Sequence, residues 1–228
     1  MTAADLAAAF ASLPPDWAAM LPGWTEERRR AVRDAVAAVS GERPIAPDDP
    51  FRALRLVAPD AVKVVVIGQD PYPTPGHADG LAFSAGQGRP RSLARVFEVL
   101  AADRPGVFAA PAAWRLDDWA RRGVLLLNVA LTVEVGRSGS HMECGWQALT
   151  REIVEVLAAR LAPPVFLLWG AKALAFRPRA LATGCRILTT RHPSYDFQRA
   201  FMAEGSHFAA TADLVDWWAI GRAATSVL

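Results

Sequence analysis

Four short apolar runs punctuate the chain, at residues 62–67, 124–127, 165–169 and 186–190. The first three are rich in Val, Leu, Ile and Phe and do not alternate with polar residues. That is the pattern of strands buried on both faces of a parallel sheet. The fourth is more polar, as an edge strand would be. Helical periods lie between the runs. Leu93, Val96, Phe97 and Leu100 share one face, and Ser92 stands where an N-cap would sit. Trp146, Leu149, Ile153, Val156 and Leu157 fall on one stripe of a later helix, which must end before Pro163 and Pro164. The first sixty residues read as helical, with breaks at Pro14 and Pro15 and again around 44–50. Strand–helix–strand alternation predicts an α/β fold, a parallel sheet with right-handed crossovers. Residues 1–60 are expected to pack on it as a helical flank. No repeat or low-complexity linker interrupts the 228 residues, so a single domain over 1–228 is expected.

Composition narrows the chemistry. The chain is 52% hydrophobic with a formal net charge of +2, so any nucleic-acid binding must come from local charge and groove geometry. The two cysteines, Cys144 and Cys185, form no CxxC pair, and neither a disulfide framework nor a four-cysteine metal site is expected. The four histidines show no HExxH spacing, so no metal is expected. Asp5 interrupts the alanine-rich start, and no basic region precedes an apolar one, which argues against a secretory signal. The longest largely apolar stretch, around 161–171, holds two prolines and a glycine and falls short of the ~20 residues of a membrane helix. A cytoplasmic protein without a membrane partner is expected. The sequence also lacks GxGxxG after a strand, GxxxxGK[ST] and GxSxG.

The polar residues sit in informative places. The first run is followed by Gly68-Gln69-Asp70-Pro71-Tyr72, the second by Asn128, the third by Gly170-Ala171-Lys172 and the fourth by Arg191-His192-Pro193-Ser194. In an open α/β sheet the carboxyl ends of the strands share one rim, where ligands bind. Each residue alone has a plainer reading. Asp70 could shape a turn before Pro71, Asn128 could make an Asx turn, and His192-Pro193-Ser194 could be a turn with a capping serine. Tyr72 and Phe83 could be packing aromatics, and His77 and His141 are read as structural. Four strand ends agreeing favours a shared site.

These residues carry a resemblance. GQDPY at 68–72, continuing to GLAFS at 80–84, resembles the water-activating motif of the family-1 uracil-DNA glycosylases. VLLLNVALTV at 124–133, FLLWG at 166–170 and His192-Pro193-Ser194 match further signatures in the same order, and Trp146 after Cys144-Gly145 also fits. The likeness spans roughly residues 50 to 210. It implies a central four-stranded parallel sheet flanked by helices and hydrolysis of the N-glycosidic bond of deoxyuridine in DNA, without a cofactor. Single- and double-stranded uracil-containing DNA would be the partner, and a monomer is expected. By the same resemblance, Asp70 would orient or activate the attacking water and His192 would donate to uracil O2. Gln69 would support the pocket, Tyr72 would block a C5 methyl group, Phe83 would stack on the base and Asn128 would read its edge. Ser92 and Ser194 would hold phosphates, and Arg191 and Tyr195 would contact DNA.

The chain departs from the family after His192-Pro193-Ser194. Family members continue with proline and then a leucine that wedges into the base stack; here the chain reads Tyr195-Asp196-Phe197. A carboxylate at the wedge position meets phosphate repulsion and cannot fill an apolar gap. Asp196 is therefore expected to impair action on duplexes, and leucine in its place to improve it, unless Tyr195, Phe197 or Arg191 fills the gap. The family's phage-encoded inhibitor encloses the wedge leucine in a hydrophobic pocket, so weak or absent binding of that inhibitor is expected. The segment before Ser92 is short and lacks most of the prolines usual there, and Ala171 stands where a phosphate-contacting serine is common. Arg89, Arg91, Arg191 and Arg199 are candidates to compensate.

Overall fold

The computed structural model describes residues 1–180 and 182–221. The chain opens with helices α1 (Ala3–Phe10), α2 (Pro15–Met20) and α3 (Glu26–Ser40), then a two-residue strand β1 (Ile45–Ala46) and helix α4 (Arg52–Leu56). Strand β2 (Val64–Gly68) is followed by α5 (Arg91–Asp103), α6 (Asp117–Arg121), β3 (Val124–Asn128) and β4 (Val133–Glu134). Helix α7 (Trp146–Ala158), β5 (Val165–Trp169), α8 (Ala171–Leu174) and β6 (Ile187–Thr190) complete the regular elements. No helix among the described residues is long and apolar enough to cross a membrane.

The main sheet has the order β3-β2-β5-β6, and every pair in it is parallel. This is the predicted architecture, with strand limits within two residues of the apolar runs. Strand β6 is a partly exposed edge, as its polarity predicts. Strand β3 is also an edge, yet fully buried. Helices α4 and α6 pack on it, and the Ala82 N–H donates to the Leu126 carbonyl at 3.0 Å. A covered edge keeps the apolar reading of a central strand, because its free backbone groups are satisfied by a loop rather than by water.

Other local expectations change. Pro14 and Pro15 start α2 rather than merely interrupting the chain: Pro14 is its N-cap and Pro15 its first residue, where a missing N–H costs nothing. Ser92 does not cap α5. Pro90 holds the cap position with φ −60° and ψ 140°, and the buried Ser92 hydroxyl instead meets the Tyr72 hydroxyl at 2.6 Å. On α7, Val154 is buried while Val156 is only half-buried. The antiparallel β1–β4 ribbon is too short to leave a period in the sequence.

Aromatic side chains join the flank to the sheet layer. Phe10 and Phe51 lie 5.6 and 6.1 Å from Trp146, and Trp24 stacks on Trp146 at 5.9 Å. Three of the buried indoles find acceptors, as low-dielectric burial favours: Trp17 Nε1 donates to the Val57 carbonyl, Trp146 Nε1 to Thr132 Oγ1 and Trp119 Nε1 to the Trp217 carbonyl. His141 is structural, as the sequence reading has it. It is fully buried, with Nε2 2.8 Å from Ser40 Oγ and Nδ1 2.9 Å from Thr132 Oγ1.

Burial lowers the pKa of His141 to about 4 and that of the also buried His207 to about 4. Their unfolded forms take up protons near 6.5, so both groups favour the fold above that pH. Their contribution is lost as pH falls from 6.5 toward 4, by at most about 1.4 kcal/mol per group per pH unit. The melting temperature should therefore drop steadily as pH is lowered from 6.5 to 4.5, and a flat calorimetric profile over that range would contradict the burial of neutral imidazoles.

Candidate active site

Parallel register sets the site. Gly68 pairs with Asn128 and Trp169 with Thr190, so four strands stop on one rim. A cavity of about 170 Å³ opens there. Gln69, Asp70, Tyr72, Phe83, Asn128 and His192 all line it, and Ser92, Ser194 and Tyr195 border it as well. Arg191 does not. It is exposed on a separate groove beside Thr190 and Ala203.

Each side chain is held by a local cause. Asn128 ends β3 and is only 7% exposed. Among the described residues its side-chain amide has no hydrogen-bonding partner, so it is free for a ligand. Gly68 makes this placement possible, because a Cβ there would collide with Asn128 Oδ1 and come within 2.9 Å of Ala82 Cβ. Tyr72 is pinned: its hydroxyl donates to the Phe83 carbonyl at 3.1 Å and meets Ser92 Oγ at 2.6 Å. Burial pushes its pKa up, so it stays a neutral, rigid wall.

Phe83 adopts φ 64°, a left-handed conformation costly for a bulky residue. Its ring lies 5.1 Å from Trp169 and 5.7 Å from His192. Asp79 secures this bend by accepting from Leu81 N at 3.2 Å and Ser84 Oγ at 2.7 Å, and it pairs with Arg52 at 3.3 Å. Sequence reasoning passed over Asp79; its one signal is an Asp-Gly turn step.

Asp70 accepts from the Gly139 N–H at 2.6 Å and from Ser138 Oγ at 3.3 Å. Burial raises its pKa above the ordinary value, and these two bonds work against that rise. Ser138 and Gly139 were also missed, since they lie about seventy residues away in the loop after β4, whose two residues leave no strand pattern in the sequence. His192 Nδ1 accepts from the Ser194 N–H at 3.1 Å. The ring is then neutral with its proton on Nε2, the nitrogen left to donate. Burial lowers its pKa, which keeps it in that form. Gln69 supports the rim through its carbonyl, which accepts from Ala130 N at 3.1 Å.

Asp196 is not where the sequence reading put it. Its side chain is 10% exposed, paired with Arg95 Nε of α5, and it accepts from Phe201 N at 2.5 Å. The exposed large hydrophobic side chains of this turn are Tyr195 and Phe197. An arginine within reach stabilises a carboxylate better than open solvent beside phosphates would, so the charge turns inward.

A carboxylate, a neutral histidine, an amide without a hydrogen-bonding partner among the described residues and two aromatic walls surround one small cavity, a lining suited to a planar, polar-edged ring. The sequence pattern of the Uracil DNA glycosylase superfamily matches residues 55–215. The chain is 43% identical over 196 residues to a uracil-DNA glycosylase of Albidiferax ferrireducens, covering 78% of each chain. It is 46% identical over 138 residues to that of Mycobacterium tuberculosis, covering 59% of this chain and 60% of the relative. Among solved structures, mimivirus uracil-DNA glycosylase superposes with a TM-score of 0.69 at 25% identity, over 78% of this chain and 68% of the other. The Y322L variant of the mimivirus enzyme, solved in complex with UGI, gives 0.72 at 25% identity, over 80% and 70%. This chain belongs to the uracil-DNA glycosylase superfamily.

The His192 tautomer is directly measurable. Imidazole ¹⁵N shifts at neutral pH should show a protonated Nε2 and a bare Nδ1, with a titration midpoint below the ordinary 6.5. A proton on Nδ1 would contradict the Ser194 contact.

Proposed function

We propose that the whole chain, residues 1–228, works as one monomeric domain that hydrolyses the N-glycosidic bond of deoxyuridine in DNA. Free uracil and an abasic site are the products, and base excision repair is the process served. The observation that carries the reading is the Asn128 amide, without a hydrogen-bonding partner among the described residues, in one cavity with the fixed Asp70 and His192. The amide oxygen suits uracil N3–H and its nitrogen suits O4. Cytosine presents the reverse pattern and would leave buried polar groups unpaired, a strong basis for rejection.

A base inside a duplex is out of reach, so the nucleotide must be extruded, at a cost of a few kcal/mol of unstacking. Phe83 takes one face of the base and Tyr72 stands against C5, where the thymine methyl group would clash. As the bond to C1′ lengthens, negative charge gathers on uracil O2, and the Nε2 proton of neutral His192 stabilises it as a preorganised donor. Asp70, ionised, orients water on the opposite face of the sugar. None of these steps needs a cofactor or metal.

Ser194, exposed at the mouth, suits a phosphate contact. Ser92 is committed to Tyr72, so its part in DNA binding is indirect unless that bond opens. Weak binding of the phage inhibitor loses its first rationale, since Asp196 is not offered to a partner's pocket. The reading now rests on size, because Tyr195 and Phe197 are each larger than a leucine.

Asp70→Asn should leave affinity for uracil-containing DNA within about tenfold while single-turnover cleavage falls on the order of 10²-fold or more. Near-normal cleavage, read on a uracil oligonucleotide treated with alkali, would remove Asp70 from the role. Tyr72→Ala should gain measurable thymine excision and Asn128→Asp some cytosine excision. Two variants that both stay strictly uracil-selective would show that these residues do not read the base.

A further inference from the structure

The turn after β6 combines two costly features beside the pocket. Tyr195 and Phe197 are 78% and 72% exposed. Among the described residues they are the exposed aromatic side chains. The backbone just beyond them is strained: Gln198, Arg199 and Met202 have φ of 55°, 55° and 59°, values that side-chain-bearing residues adopt only when their surroundings impose them.

What imposes them is a set of ties to helix α5. Asp196, between the two aromatics, turns inward to Arg95 and to the Phe201 N–H. Arg95 also reaches Glu98 at 3.3 Å, and Glu98 accepts from Arg199 at 2.6 Å. The Met202 N–H donates to Thr190 Oγ1 at 2.9 Å, closing the loop onto the end of β6. With residue 196 facing in, residues 195 and 197 face out. Tyr195 borders the cavity, its ring 5.7 Å from that of His192.

Taking uracil excision as the reaction, we infer that Asp196 is a positioning residue: it holds the turn so that Tyr195 and Phe197 form a stacking platform for the bases flanking the extruded nucleotide. Aromatic faces stack on any base, so such a platform serves every sequence context. Its value is larger on a duplex, where extrusion leaves a gap in the stack that an inserted apolar side chain can fill. A single strand has no pair to break. The expected sign for Asp196 is therefore the opposite of the one its charge suggests: removing the carboxylate frees the turn and weakens duplex action.

The test compares single-turnover excision from single-stranded and duplex uracil oligonucleotides. Asp196→Asn should lower the duplex rate about tenfold and leave the single-strand rate within about threefold, which also shows that the pocket is folded. Tyr195→Ala combined with Phe197→Ala should likewise lower the ratio of duplex to single-strand rate, whatever it does to the single-strand rate itself, and adding Asp196→Asn to that pair should lower the ratio no further. A merely structural Asp196 would give an additive loss on both substrates. Arg95→Gln cuts the same tie from the other side and should reproduce the shift if Asp196→Asn folds poorly. An unchanged duplex-to-single-strand ratio in both variants, or additive loss in the triple variant, overturns the inference. Binding gives a separate reading that needs no excision. 2-Aminopurine beside the uracil should change its fluorescence on binding the wild-type chain but not Asp196→Asn, and equal responses would also overturn it. A wild-type chain that binds with this response but releases no uracil from either strand would instead sink the excision reading.

Discussion

The parallel register of the four-stranded sheet is the constraint on which the rest of the structure depends. Backbone hydrogen bonds fix Gly68 beside Asn128 and Trp169 beside Thr190. Because all four strands run the same way, the loops that leave them are forced onto one rim. The reactive residues are thus far apart in sequence but adjacent in space, and no local conformational preference has to bring them together. Register is also what makes Gly68 necessary: once the two strands are locked side by side, the space beside residue 68 already belongs to the Asn128 amide.

Within that frame, protonation states are assigned by neighbours. A backbone N–H faces His192 Nδ1 and decides which nitrogen carries the proton. A glycine N–H and a serine hydroxyl support the Asp70 carboxylate against a burial that would neutralise it. The pocket is therefore lined by one carboxylate and one neutral imidazole, and the same burial has opposite consequences for them. It disfavours charge on both, which suits the histidine and opposes the aspartate, and only the aspartate receives compensating donors.

Much of this was legible in the sequence because the strands are buried on both faces and so read as unbroken apolar runs. The polar residues after them stood out against that background. What was not legible depends on contacts between distant segments. Ser138 and Gly139 reach Asp70 across about seventy residues, and Asp79 supports Phe83 through Arg52 and Ser84. The β1–β4 ribbon has two residues per strand, too few for a period of two to register. Ser92 followed the rule for caps, but Pro90 supplied the cap geometry and left the hydroxyl for Tyr72. Asp196 was misjudged for a related reason. A charge in a loop suggests solvent, and nothing in the local sequence says that Arg95, a hundred residues earlier, waits beside it.

The left-handed backbone of Phe83 carries a consequence of its own. Glycine would occupy φ 64° without the penalty of about 1–2 kcal/mol that an L side chain meets there. The ring offsets that penalty by its own burial, being only 8% exposed and packed 5.1 Å from Trp169, and emptying such a site costs more than the backbone strain it would relieve. Backbone and ring therefore stand or fall together here: a change that relaxes the bend also leaves a void beside Trp169.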